Sequence, residues 1–343
     1  MKLAVKQINV DWNLIIRPNG ELVVQLKNTF SWSHSAAVDF ETCQRKRYWN
    51  KYGKWGGWDS RAAPSARKAY QLDKMDNFYS MLGQAVEQAA MHILRVHQSG
   101  ENCSADEAYE KVARVFMNDV WSDSRGGEWR RNPKRFRCLR EHYYKTISKD
   151  EERVLATQIA DQARECLSNF AERTMPRIAD VARDMELPID SADTPGDVEN
   201  FVFEGVKVYA IPDYAYRKDG AVHIHDWKAG AERAGHLEQL AVYGLWAATK
   251  HRVDSENILV YAEYLKNGSV HADSIEDADL DRAVLRIDTS IADMTEMLVD
   301  GDRSRNEPLP IEEWELALSC DPCRFCNFYE LCEDELRSTG IVE

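Results

Sequence analysis

Residues 210–228, AIPDYAYRKDGAVHIHDWK, predict a β-hairpin. Val206–Tyr216 and Ala221–Lys228 are rich in β-branched and aromatic residues, and Lys218-Asp219-Gly220 supplies turn chemistry between them. Side chains two apart on a strand share a face, so Val222, Ile224, Asp226 and Lys228 project together. The first two can enter a core, while Asp226 and Lys228 emerge at the strand's end. Asp213, preceded by Pro212, lies at the near end of the other strand. Closing the hairpin therefore brings two carboxylates and an ammonium into one small volume. Neighbouring carboxylates repel unless a cation shares their charge, and hard oxygen ligands suit Mg²⁺ or Mn²⁺. A lysine beside such a metal can position or deprotonate a water and offset charge on a phosphate. Taken alone, an arbitrary D-x-K triplet is better read as a surface hairpin with an Asp226–Lys228 salt bridge, and the rest of the chain has to decide.

At 343 residues the chain can bury a large core. With 44% hydrophobic and 30% charged residues it reads as globular. No apolar run of roughly 18 residues predicts a membrane span, and MKLAVKQINVDWN lacks the apolar stretch of a secretory signal. A cytoplasmic, reducing setting is the resulting expectation, with the eight cysteines as thiols or metal ligands. The net charge of −14 argues against a nucleic-acid partner, but its distribution argues the other way. Residues 44–74 carry +7 and 125–145 carry +6, leaving −27 elsewhere. Both basic stretches are interleaved with aromatics (Tyr48, Trp49, Tyr52, Trp55, Trp58 and Trp129), a composition that fits binding of single-stranded nucleic acid.

In chain order, residues 1–30 read as a small β unit, with Leu14-Ile15-Ile16 and Leu22-Val23-Val24 around the turn Arg17-Pro18-Asn19-Gly20. Ser31 or Ser33 caps a helix running past Val38 and Cys43 to Arg47. Pro64 opens a short helix, and Phe78–Gln98 forms an amphipathic one ended by Gly100, with Glu87 just off its apolar stripe. Helices follow at about Ala105–Trp121 and Glu151–Met185, then a Pro-containing loop over 187–198. Beyond the hairpin, Gly235–Thr249 is helical, with Gln239 and Tyr243 on one face. Ile258–Leu265 and Ser269–Ile275 pair around Asn267-Gly268, and a helix spans roughly 277–300. The chain closes on SCDPCRFCNFYELC. Cys320, Cys323, Cys326 and Cys332 at this spacing point to zinc or an iron–sulfur cluster. There is no P-loop, no Gly-rich dinucleotide motif, no G-x-S-x-G and no internal repeat.

Together these features resemble the RecB-like branch of the PD-(D/E)XK nucleases, in particular its iron–sulfur members. These include CRISPR-adaptation nucleases, AddB-type nuclease domains and related phage or eukaryotic exonucleases. Ile211-Pro212-Asp213 resembles the family's first metal carboxylate, Asp226-Trp227-Lys228 its D/E-x-K element, and Gln239-x-x-x-Tyr243 its Q-x-x-x-Y helix. Phe30-Ser-Trp-Ser with Cys43-Gln-Arg-Lys-Arg-Tyr-Trp resembles its N-terminal serine-and-cysteine helix. The resemblance implies a 4Fe-4S cluster on Cys43, Cys323, Cys326 and Cys332, with Cys320 as an alternative ligand. It also implies Mg²⁺ or Mn²⁺ on Asp213, Asp226, the Trp227 carbonyl and Glu87. Three features depart from the family pattern, one being Cys320, a thiol beyond the four the family uses. Gly83-Gln-Ala-Val-Glu87 has glutamate where histidine is usual, and Ala210 stands where many relatives have glycine.

The expectation is thus an α/β restriction-endonuclease-like domain over 31–343, with a central mixed sheet flanked by helices. A helical insertion covers about 101–187 and the cysteine segment 320–332 staples the chain ends. Asp213, Asp226, Lys228, Gln239 and Tyr243 would carry metal-dependent hydrolysis of DNA, exonucleolytic on single-stranded ends. The setting would be repair, recombination, CRISPR adaptation or phage DNA metabolism, with a helicase, recombinase or integrase as the kind of protein partner and no membrane. The competing readings are a catalytically silent DNA-binding scaffold, a zinc protein and a structure-specific endonuclease.

Overall fold

In the computed structural model, which describes residues 12–16, 22–189, 198–233 and 235–342, the chain begins with an antiparallel pair, β1 (Trp12–Ile16) and β2 (Leu22–Leu26). The connecting turn at Arg17–Gly20 lies outside the described residues. β3 (Ser31–Ser33) leads into α1 (His34–Thr42) and α2 (Gln44–Tyr48). The single helix expected here is broken. Cys43 adopts extended backbone (φ −167°, ψ 107°), and its sulfur caps the second piece by accepting from the Lys46 N–H at 3.4 Å.

α3 (Pro64–Asp73) and β4 (Met75–Asp76) precede the long helix α4 (Phe78–Gln98). Asn77 and Ser80 form a capping box at the start of α4, and Gly100, at φ 83°, ends it as expected. α5 (Ala105–Ala108), a wider turn over 109–113 and α6 (Arg114–Gly126) make one helical run, longer than the sequence indicated. Then come β5 (Cys138–Leu139), α7 (Arg140–Tyr144), α8 (Lys149–Asn169) and α9 (Met175–Ile178), so this helical stretch stops short of Met185. Of the expected 187–198 loop, Pro195 and Gly196 fall outside the described residues.

The hairpin forms in part. Lys218 pairs with Ala221 across Asp219-Gly220, whose φ values of 51° and 85° are those a two-residue turn demands. Its first arm is not one strand from Val206 to Tyr216. β6 (Asn200–Phe203) and β7 (Val206–Tyr209) join β3 in a separate sheet, ordered β3-β7-β6. Only β8 (Tyr214–Lys218) pairs with β9 (Ala221–Lys228). Residues 210–213 bridge the two sheets, where Pro212 has no N–H to extend a ladder.

β9 then crosses through α10 (Gly235–His251) to β10 (Ile258–Tyr264), which runs parallel to it, and β11 (Ser269–Ser274) closes the edge antiparallel. The central sheet is therefore mixed, in the order β11-β10-β9-β8. α11 (Asp277–Glu296) packs beside α10, and α12 (Glu333–Ser338) follows the cysteine segment.

Strand alternation divides β9 between two cores. Val222 and Ile224, fully buried, pack with Leu240, Tyr243 and Trp246 of α10 and Ile287 of α11. Trp227 faces the other way, with Tyr214 and Tyr216, into a core built by α4, α6 and α8. The helices of 78–181 thus cover one face of the sheet and α10–α11 the other. No described helix is long and apolar enough to cross a membrane.

Candidate active site

Asp226 and Lys228 leave the end of β9 on the α10 side. Asp226 is 2% exposed, and its Oδ2 is ion-paired with Lys228 Nζ at 2.7 Å. Asp213 arrives from the bridge between the sheets. Because β8 starts only at Tyr214, the Trp227 N–H has no β8 carbonyl opposite it and donates to Asp213 Oδ2 at 2.5 Å. The expected contribution of Trp227 was its carbonyl; the contact observed is from its N–H. Its indole stacks on Tyr214 and meets Phe170 edge-on, which anchors the strand end in the second core.

α4 carries Glu87 to the same place, and the three carboxylates form one electrostatic unit. Burial, then the charges of Asp226 and Glu87, push the Asp213 carboxyl well above its ordinary range. Glu87 stands at the open rim, and desolvation followed by the Asp226 charge raises its carboxyl too. Lys228 offsets part of both shifts.

Gln239 and Tyr243, one turn apart on α10, connect Lys228 to the Asp213 loop. Lys228 Nζ donates to Gln239 Oε1 at 3.0 Å, and Gln239 Nε2 donates to the Tyr243 hydroxyl at 2.8 Å. That hydroxyl donates to the Ile211 carbonyl at 2.9 Å. The sequence did not single out Ile211 O as the far anchor of this relay. It also passed over His34, at the start of α1, whose proton affinity is lowered first by burial, with Glu238, Arg286 and then Lys228 as its main charged neighbours, and whose buried Nδ1 has no hydrogen-bond partner among the described residues. Nearly two hundred residues separate His34 from Lys228, and no local pattern links them.

Among the described residues, no three His, Cys, Asp or Glu side chains close on a point at metal-ligand spacing. The donor set at the β9 end nevertheless fits a hard divalent cation. Burial and neighbouring negative charge raise the Asp213 and Glu87 carboxyls, and the buried Asp226 Oδ2 has Lys228 as its only described partner, so carboxylate oxygens there lack a full share of positive charge.

The cysteine segment folds back onto the N-terminal helices. Cys323 and Cys332 share a buried cluster with Leu336, against which Cys43 and Trp49 pack. Burial pushes the Cys326 thiol up to about 11 and Cys332 to about 12, and each is also raised by Cys43. Cys320 lines a neighbouring cavity and raises Cys323. Protein contacts hold the segment as well: Asn327 donates to the Met75 carbonyl, Tyr144 to the Asn327 carbonyl, and Arg45 to the Trp314 carbonyl and the Glu335 carboxylate.

The basic stretches do not form a continuous surface of free charge, as their composition implied. In 44–74, Arg45, Lys46, Lys54, Arg61, Lys68 and Lys74 are ion-paired, and Arg47 is buried. Lys51 donates to Ser31, and burial brings it down to about 7. Arg125 and Arg137 are paired too. Arg130, Arg131, Lys134 and Arg135 stay exposed, with Arg130 laid over Trp129 and Arg135 over Phe136.

The carboxylate pair, the lysine two residues beyond the second carboxylate and the Gln–Tyr helix beside it lie together at one end of a mixed-sheet α/β fold. The family profile of the PD-(D/E)XK nuclease superfamily matches residues 31–333, and the chain belongs to that superfamily. No curated protein matches the chain.

Proposed function

We propose that the protein is a divalent-metal-dependent deoxyribonuclease that removes nucleotides from single-stranded ends. The observation that carries this reading is the meeting of Asp213, Asp226 and Lys228 at the end of β9, with Lys228 braced by Gln239 and Tyr243. Asp213, Asp226 and Glu87 would hold Mg²⁺ or Mn²⁺, with the Trp227 carbonyl as a further oxygen. When bound, the ion supplies a Lewis acid and an activated water.

The chain's own contribution is placement and charge. Lys228 brings an ammonium to the phosphate and orients the water, stabilising charge as it develops. Gln239 and Tyr243 keep that ammonium from swinging away. The exposed loop with Arg130, Arg131, Lys134 and Arg135 would contact strand phosphates, making affinity steeply salt-dependent. Trp58, 47% exposed and edge-on to Trp55 and Tyr70, is suited to stacking. Cys43, Cys323, Cys326 and Cys332 would hold a 4Fe-4S cluster, with Cys320 as an alternative ligand. Bridging residues nearly three hundred apart, it would pin both ends of the chain around the core.

The test is cleavage of labelled linear and circular single-stranded DNA by anaerobically purified protein with Mn²⁺, alongside Asp226→Ala. Mn²⁺-dependent shortening of the linear strand only, abolished in the variant, is the expected result. Equal activity in both proteins refutes the site, and cutting of the circle converts the reading to an endonuclease.

A further inference from the structure

A cavity of about 1070 Å³ opens between the first turn of α4 and the cysteine segment. Two large rings on its wall face water: Tyr79 is 63% exposed and Phe325 76% exposed. Beside Phe325, Arg324 is exposed and forms no ion pair among the described residues. Deeper in, Arg140 lies over the Tyr144 ring at 5.0 Å, and Tyr144 meets Tyr329 edge-on at 6.0 Å. Aromatic faces mixed with guanidinium groups are the chemistry that takes unpaired bases.

α4 links this cavity to the carboxylates. Tyr79, Gly83 and Glu87 recur at i, i+4 and i+8, so they lie along one stripe of the helix. Gly83 is the middle of that stripe, and a Cβ there would meet nothing within 4 Å. A mid-helix glycine costs about 1 kcal/mol relative to alanine, and no neighbouring protein atom requires it. It leaves a bare stretch of helix on which another chain can lie. From Tyr79 to Glu87 the helix rises about 12 Å, roughly three nucleotides at the B-form rise of about 3.4 Å and fewer for an extended strand.

We infer that Tyr79 and Phe325 stack bases of the single strand whose phosphate reaches Asp213 and Asp226, with the strand running over Gly83. This rests on the proposed function and assigns the strand its path: the cysteine segment forms one wall of the substrate site. The stacking is indifferent to base identity, because every base offers a π-face.

The experiment measures fluorescence anisotropy of single-stranded oligonucleotides on the full chain carrying Asp226→Ala, so that nothing is cleaved. Into that background go Tyr79→Ala, Phe325→Ala and both together, with Tyr79→Phe and Phe325→Trp as conservative controls. Each alanine change should weaken binding at least about tenfold, in line with base–aromatic stacking, and the conservative changes should restore it. An oligonucleotide lacking its three terminal bases should bind all the proteins alike, at the weakened level. Loss with Phe325→Ala alone indicates disturbance of the cysteine segment and overturns the inference. Unchanged affinity in both alanine variants also overturns it, leaving the rings as a docking face for a protein, while the nuclease reading stands. Failure of the parent protein to bind any single strand removes the nuclease reading and this one together.

Discussion

Tyr243→Phe removes one oxygen from the relay that joins Lys228 to the Asp213 loop. Two hydrogen bonds are lost, the one accepted from Gln239 Nε2 and the one donated to Ile211 O. Ile211 is 44% exposed, so water can serve its carbonyl. The Gln239 amide is half-buried and less easily served. One unsatisfied interior group then costs about 1–2 kcal/mol. For 343 residues at about 2.1 cal/mol/K of unfolding entropy each, that lowers Tm by roughly 1.5–3 °C. The rate should suffer more than the stability. With Gln239 free to rotate, Lys228 keeps only the Asp226 carboxylate of the two partners described, and a displacement on the order of 1 Å can cost about 10²-fold. A single-turnover cleavage rate about 10- to 100-fold lower is expected, with the affinity for DNA unchanged. The discriminating assay is a double-mutant cycle. Because Tyr243 acts through Lys228, adding Tyr243→Phe to Lys228→Met should slow the reaction no further. Full multiplication of the two losses, or wild-type rate in Tyr243→Phe, refutes the relay.

Three further expectations concern the proposed divalent ion and the proposed cluster. Asp213 and Glu87 both have native carboxyl affinities raised above the unfolded chain, so the stability they contribute is complete below about pH 4. That stability is lost as pH rises through the native values. In EDTA, Tm should therefore fall with rising pH more steeply in the wild type than in Asp213→Asn, and Mn²⁺ should remove the difference; parallel curves contradict the shared-charge description. Glu87→His should shift the ratio of Mn²⁺- to Mg²⁺-supported cleavage toward Mn²⁺, since imidazole is the softer ligand; an unaltered ratio places Glu87 outside the ion's reach. Cys43→Ser should abolish visible absorbance and labile sulfide in anaerobically purified protein, whereas Cys103→Ser should leave both intact, and a zinc content in place of iron would replace the cluster by a zinc site.

The elements legible in the sequence were those specified by neighbouring residues. The α4 helix carries its capping box and apolar stripe within 21 residues, and the Asp-Gly turn encodes its own positive φ angles. Alternation along β9 was enough to place Asp226 and Lys228 on one side, because a strand's period of two leaves no other choice. The Gln239–Tyr243 spacing likewise follows from one helical turn.

What the sequence misplaced were features whose cause lies far along the chain. Val206–Tyr216 has the composition of one strand. It divides between two sheets because β3, 176 residues earlier (Ser31 opposite Lys207), offers β7 a parallel partner. Cys43 breaks a helix that local propensity would continue. In the first basic stretch two partners, Glu335 and Glu330, are remote in sequence, while Asp39, Asp59 and Asp73 lie beside or within it, and only the folded backbone turns those neighbours into ion pairs.

By itself, then, the sequence determined the periodicities, the turn and the order of the chemical groups, all set by covalent neighbours and backbone geometry. Only the tertiary structure decided that Asp213 accepts from the Trp227 N–H, that Glu87 shares its field and that Lys228 is braced through Ile211. Those contacts depend on how separate elements pack, and packing is a property of the whole chain.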